Sequence, residues 1–215
     1  AAFKETGTDI GGTADFTGNI ITYGNNATVT TAYPGAQTSA NPERFGGIII
    51  TNSVSFSVRY NVVTSLFFFT SIASTGITVN ATTAPLGFSY TNTVSDNIVT
   101  VSSSAAAGTA PIFAIDFGYG LNSAPNFSTL VASNNTLVLN QTTAAATTTA
   151  GIGGVKANYA SGTTTITGNV MTFNQNHAFA STVASGLTGI WASGVAIGTA
   201  NLSSNNITFN QVHQT

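Results

Sequence analysis

The stretch "GNVMTFNQ", residues 168–175, decides how this chain reads. Its wording returns as "NNITFNQV" (205–212), and looser versions precede it: "GNIITYGN" (18–25), "YNVVTSLF" (60–67), "DNIVTVSS" (96–103) and "NTLVLNQT" (135–142). Thr22, Thr64, Thr100, Val138, Thr172 and Thr208 hold one equivalent position, and successive copies stand 42, 36, 38, 34 and 36 residues apart. The last three copies also share an amide pair, Asn140–Gln141, Asn174–Gln175 and Asn210–Gln211. A catalytic motif is usually written once. A phrase that returns at near-constant intervals of some tens of residues marks stacked repeats.

Each copy reads as a short strand, with apolar and β-branched residues bounded by Asn, Gly or Ser. Between copies a second apolar stretch lies beside glycine: "FGGIIITNSVSFSV" (45–58), "APIFAIDFGYG" (110–120), "AGIGGVKANYA" (150–160) and "GLTGIWASGVAIG" (186–198). Helix formers are scarce, and no clear capping box precedes a 3.6-period run. A unit of about 37 residues built this way cannot bury its apolar face alone, whereas stacked units can. One unit makes one wide coil or two narrow ones. Equivalent side chains then lie above one another at roughly 4.8 Å. Val, Ile and Phe face inward, and corner asparagines bond one amide to the next. The expectation is an all-β solenoid, a parallel β-helix with ~37-residue repeats, forming a single domain over 1–215. Residues 1–13 would be an N-terminal arm or cap, and 14–215 five to six repeats. An antiparallel β-sandwich is the alternative that short strands and frequent turns also allow.

Composition narrows the function. Hydrophobic residues make up 42% and charged residues 5%, against about 25% charged in ordinary soluble domains. Nine of the ten charges lie at or before Asp116, and Lys156 is the tenth. Four basic residues, Lys4, Arg44, Arg59 and Lys156, cannot build the stripe that nucleic acid needs, nor a polybasic membrane patch. The hydrophobic content also argues against disorder. With no cysteine, disulfides, thiolate metal sites and a cysteine nucleophile are excluded. No basic segment followed by an apolar one opens the sequence, and "AAFKE" would suit a chain cleaved after a small residue. No transmembrane helix is expected: "TSLFFFTSIA" (64–73) is too short, and 182–202 is diluted by Thr, Ser and Gly.

Short motifs add a resemblance. Phe16–Asn19 ("FTGN") and Phe173–Asn176 ("FNQN") alternate with Gly46-Gly47-Ile48-Ile49 and Gly153-Gly154-Val155. Looser forms end at Asn169 ("ITGN") and Asn205 ("LSSN"). On these the chain resembles right-handed parallel β-helices of the polymorphic outer-membrane protein and autotransporter-passenger type. Residues 14–54 and 126–215 fit best, while 65–95 depart from the pattern. The resemblance implies an extracellular or cell-surface location and adhesion or scaffolding, with no reaction. No translocating barrel lies in these 215 residues.

Candidate chemistry is sparse. Carbohydrate-active β-helix enzymes need clustered carboxylates, often with a basic residue nearby. Asp96 follows Arg59 by 37 residues and Asp15 precedes it by 44, so Asp15, Arg59 and Asp96 are the candidate cluster for an enzyme. A surface ion pair is the plainer expectation. His177 and His213 stand 36 residues apart after equivalent phrases, but no Asp, Glu or Cys after Asp116 could complete a metal site. Hence no metal or cofactor is expected. There is no Gly-x-Ser-x-Gly elbow and no phosphate-binding loop. Asn26, Asn80, Asn126, Asn134 and Asn201 begin N-glycosylation sequons. Asn140 and Asn206 do too, but within or beside expected strands. The number of sequons is about what chance gives in a chain so rich in Asn, Ser and Thr. Tyr159 and Trp191 are the candidates for an aromatic sugar platform, and flat Thr arrays would suit ice, although a regular Thr-x-Thr in every coil is missing.

The phrase "NNITFNQVHQT" (205–215) predicts an uncapped strand edge, which invites pairing with another chain. Low net charge removes the usual repulsion, and strand addition is a physical route to fibres. The segment "AAFKETGTD" (1–9) would be an exchanged arm or a cap. The expected function is a non-enzymatic extracellular structural or adhesive surface protein that assembles with copies of itself into a filament or array. Surface glycans are a second kind of partner. The alternatives are a carbohydrate-active β-helix enzyme and a carbohydrate- or ice-binding module.

Overall fold

Every strand pairing in the computed structural model is parallel among the described residues. Those residues are 5–15, 17–24, 45–51, 53–67, 74–80, 91–103, 112–117, 127–143, 152–158, 160–177, 187–193 and 199–213. The chain visits three long sheets in rotation. The first, here the entry sheet, holds Asp9–Gly11, Ser57–Arg59, Thr91–Ser95, Phe127–Ser133, Ala160–Thr167 and Ala200–Ser203. The second, the ladder sheet, holds Ile20–Gly24, Val62–Phe67, Ile98–Ser103, Thr136–Thr143, Val170–His177 and Asn206–His213. The third, the glycine sheet, holds Phe45–Thr51, Ser74–Asn80, Ile112–Phe117, Ile152–Asn158 and Leu187–Ser193. A two-strand pair, Glu5–Thr6 with Ser53–Val54, completes the set.

In each long sheet the strands lie in chain order, each beside its counterpart in the coil before and the coil after. This is the stacking of a parallel β-helix with one wide coil per repeat. The antiparallel sandwich is displaced, because no described pair is antiparallel. Non-local parallel pairing of this kind needs a crossover between partners, which the other two sheets of the coil supply.

The corner between the entry and ladder sheets explains why the repeated phrase begins with asparagine. Only two residues separate Ser95 from Ile98, and the first of them, Asp96, has φ +57°. Tyr60 (+57°), Asn134 (+55°), Gly168 (+67°) and Ser204 (+56°) repeat this left-handed step in the other coils. The left-handed conformation turns the chain sharply within one residue, at a cost of about 1–2 kcal/mol for a residue with a Cβ. The asparagine that follows each one holds the turn closed. The first coil differs: Gly12–Gly18 is an insert at this corner. Its Thr17 hydroxyl accepts the Thr13 and Ala14 N–H groups at 3.0 Å and donates to the Ala14 carbonyl at 2.6 Å.

Inward positions of the ladder sheet make much of the core, with Val63, Val99, Val101, Leu137, Leu139, Met171 and Phe173 all buried. Alternate residues of the same strands face outward, so these strands read apolar-polar with period two. Glycine lies opposite them. A Cβ on Gly76 would collide with the Val99 side chain, and one on Gly154 would stand 2.6 Å from the Met171 sulfur. The Gly-Gly-apolar runs are therefore strand interiors that let two sheets approach closely. Residues 75–79, 113–117 and 152–157 of the glycine sheet are buried on both faces, and apart from Asp116 and Lys156 their sequences run apolar or small rather than alternating.

Candidate functional site

The most organised chemistry in the molecule is a ladder of side-chain amides running up one corner. The Asn97 N–H and Nδ2 both donate to Asn135 Oδ1 at 3.0 Å. Asn135 repeats this with Asn169 at 3.0 and 2.9 Å, and Asn169 with Asn205 at 3.1 and 2.9 Å. Below, Asn19 donates to Asn61 at 3.2 and 3.0 Å, and Asn61 to Asn97 at 3.0 Å. The Nδ2 groups also reach a carbonyl in the coil below: Ile10 from Asn61 at 2.9 Å, Val58 from Asn97 at 2.9 Å, Val94 from Asn135 at 3.0 Å, Ala132 from Asn169 at 3.0 Å and Ile166 from Asn205 at 2.8 Å. One planar amide supplies an acceptor and two donors, which Asp cannot. Asn61, Asn97, Asn135 and Asn169 are fully buried, so these bonds take the place of water.

Two further ladders run along the ladder sheet. Gln175 Nε2 donates to Gln141 Oε1 at 2.8 Å and Gln211 Nε2 to Gln175 Oε1 at 2.7 Å. On the outward face Asn174 donates to Asn140 at 2.8 Å and Asn210 to Asn174 at 2.9 Å, with Asn140 donating to the Ser102 hydroxyl at 3.1 Å. The register puts Thr22, Thr64, Thr100, Val138, Thr172 and Thr208 in one column. This column also faces outward, with Thr22, Thr64 and Thr208 exposed. Here the repeat is a surface stripe of hydroxyls and amides over an apolar interior.

Among the described residues, charged side chains gather in two regions, around the corner and in the glycine sheet. Asp15, Tyr60, Asp96, Asn134 and Thr136 line a surface pocket of about 280 Å3 beside the corner ladder. The insert leans Asp15 over this corner. Arg59 is not part of that lining; its Nη2 pairs with Asp9 Oδ2 at 3.0 Å in a half-exposed contact. The structure thus brings two of the three enzyme-alternative residues together and commits the third to a carboxylate 50 residues away. The second place is in the glycine sheet. Lys156 Nζ lies 3.6 Å from Asp116 Oδ2, with Asp116 fully buried and Lys156 nearly so. The ammonium also sits 5.2 Å from the centre of the Phe113 ring, a cation–π arrangement. Spacing analysis overlooked this pair, although Asp116 and Lys156 face each other in register one coil apart.

The remaining candidates are scattered. His177 and His213 are register partners in the ladder sheet. Among the described residues no group of three metal-binding side chains stands together. Trp191 is about half exposed, its edge on the Phe113 ring at 6.3 Å and 64°. Tyr159, Asn26 and Asn126 lie outside the described residues. Asn80 ends a glycine-sheet strand, Asn134 is an exposed corner residue, and Asn201 is exposed in the entry sheet. Among the described residues no helix is long and apolar enough to cross a membrane.

Comparison with protein-family models, with curated proteins and with solved structures finds no match for this chain.

Proposed function

We propose that this chain is a non-enzymatic structural or adhesive protein of the extracellular or cell-surface space, and that it assembles with copies of itself through open strand edges. One observation carries the reading. In the last described coil Leu202, Ile207 and Phe209 are 49, 36 and 47% exposed, whereas their register partners one coil inward, Ile166, Met171 and Phe173, are at most 1% exposed. The same columns that form the core surface at this end, on strands that are paired on one side only among the described residues. Apolar area rimmed by such edges is what a further coil covers. The uncharged composition of residues 157–215 removes a barrier to like-on-like contact.

The surface location rests on the resemblance of the "FTGN", "FNQN" and "GGII" motifs to β-helices of the polymorphic outer-membrane and autotransporter-passenger type. The Asp15–Asp96 pocket is the feature on the side of a carbohydrate-active enzyme, but Arg59 is engaged with Asp9 away from it. The stripe of Thr and Asn side chains is the face offered to glycans.

Light scattering after gel filtration, with negative-stain imaging of the same fractions, tests the assembly. Oligomers that lengthen with concentration are expected. A monodisperse monomer from micromolar to millimolar concentration would overturn the reading.

A further inference from the structure

Resting on that assembly reading, the geometry points to one mode of contact: head-to-tail, in register. We infer that the last described coil of one copy is continued by the first described coil of a second copy. Asn206–His213 would then pair in parallel with Ile20–Gly24 of the second copy, and Ala200–Ser203 with its Asp9–Gly11.

The corner ladder has a direction, and that direction argues for this occupant. In every described step the lower asparagine gives its N–H and Nδ2–H to the Oδ1 of the asparagine above. The backbone runs the opposite way, with the N–H after the upper asparagine bonding the carbonyl of the lower one, as from Val62 to Asn19 and from Asn206 to Asn169. Asn205 therefore presents donors and a carbonyl upward. Asn19, at the other end, is exposed and presents an Oδ1 that no described residue caps, with the Ile20 N–H beside it by the same pattern. Donors meet acceptors only if the two ends belong to copies stacked in the same direction. Two upper ends placed face to face would oppose donor to donor.

The apolar columns match as well. Leu202 continues the inward column that begins at Ile10, and Ile207 the one that begins at Ile21. Ile10 and Ile21 are only partly covered, so each open end offers aliphatic surface to the other. Charge does not oppose the contact. Residues 199–213 carry none, and Asp9 is paired with Arg59. Asp15 of the insert lies toward Asp96 and Asn134, the coils above its own. A heterologous contact of this kind closes no ring by itself and propagates as a filament.

The chain lacks cysteine, which makes the register directly readable. In the inferred contact Thr208 lies beside Thr22 of the second copy, at about the 4.8 Å spacing of parallel strands and so within disulfide reach. Purified T22C and T208C are mixed and oxidised. A covalent heterodimer is expected from the mixture, little dimer from either variant alone, and a series of covalent oligomers from the T22C/T208C double variant. N205D keeps the acceptor that Asn169 needs but sets an anion against Asn19 Oδ1, and is expected to weaken assembly by about tenfold or more with the monomer still folded. Assembly without the Thr22–Thr208 link, or a T208C homodimer as the main product, would overturn the register while sparing the assembly reading. Absence of any assembly would remove both.

Discussion

Between the entry and ladder sheets, one asparagine per coil closes the turn, bonds the coil above and bonds the coil below. Truncation at Asn135 removes its side-chain bonds to Asn97, Val94 and Asn169 and leaves the Asn97 N–H buried without its acceptor. Asn135→Ala is expected to lower unfolding stability by about 2–4 kcal/mol, the cost of orphaning buried polar groups. Asn205→Ala takes the same acceptor from Asn169, but at the exposed end of the ladder water can replace it, so a smaller cost of about 1–2 kcal/mol is expected. Urea titration of the two variants beside the parent protein checks the difference. The asparagines were legible, since they open two of the six recurring phrases and stand second in the other four. The left-handed residue before them was not. Tyr60, Asp96, Asn134, Gly168 and Ser204 share no side-chain chemistry, and only one is the glycine that such a backbone favours. Stacking imposes that conformation from above and below, and a single-residue reading does not contain it.

At the scale of elements, the glycines and the buried ion pair of the glycine sheet show two ways in which local signals mislead. Gly-Gly in a β-rich chain ordinarily marks a turn or bulge. Here Gly153-Gly154 lies inside a strand, because Phe113 of the same sheet and Met171 and Phe173 of the facing sheet occupy the space side chains would need, as Val99 and Ile207 do opposite Gly76 and Gly189. The outcomes should be graded. On Gly154 a new Cβ would stand 2.6 Å from the Gly189 carbonyl oxygen, which is backbone and cannot step aside. On Gly189 the nearest atoms belong to the Ile207 side chain, at 2.7 Å, at the exposed end of the stack. Gly154→Ala is expected to cost about 3 kcal/mol and Gly189→Ala about 1 kcal/mol, with Ile207→Ala relieving the second but not the first. Thermal melts of the three variants and the double variants read this out.

The ion pair follows a similar logic. Asp116 and Lys156 are 40 residues apart, and Asp9 and Arg59 are 50 apart, so neither matches the dominant interval of the repeat. Intervals differ because each coil carries connections of its own length, and the insert at Gly12–Gly18 lengthens the first. Register, not spacing, decides which charges meet. Asp116→Ala alone would leave a buried ammonium without its carboxylate and is expected to destabilise by about 3–5 kcal/mol. Asp116→Leu combined with Lys156→Met, which keeps the volume apolar, is expected to fall near the parent protein or above it. Chemical denaturation of the single and double variants separates a stabilising pair from one that mainly specifies register.

At the scale of the whole molecule, stability is shared out along one axis. Strand pairing joins each coil to its two neighbours, with contacts such as Phe113–Trp191 reaching one coil further, so cohesion is close to a sum of nearest-neighbour contacts, and the amide ladders do the work that ion pairs do on ordinary surfaces. This is how a chain with 5% charged residues holds a specific register. The period of the repeat made the stacking legible. The division of each coil into three sheets was less so, because the entry and glycine sheets carry no phrase as constant as the ladder strands. Double electron–electron resonance between spin labels on the outward threonine column measures the stacking itself. Thr22 and Thr172 are four coil steps apart, and Thr22 and Thr208 five. At one strand spacing per step, backbone separations of about 19 and 24 Å are predicted, and Thr64 with Thr208, again four steps, should match the first. Distances that follow chain separation instead of coil number, or a Thr22–Thr208 distance no longer than Thr22–Thr172, would contradict the stacked coil.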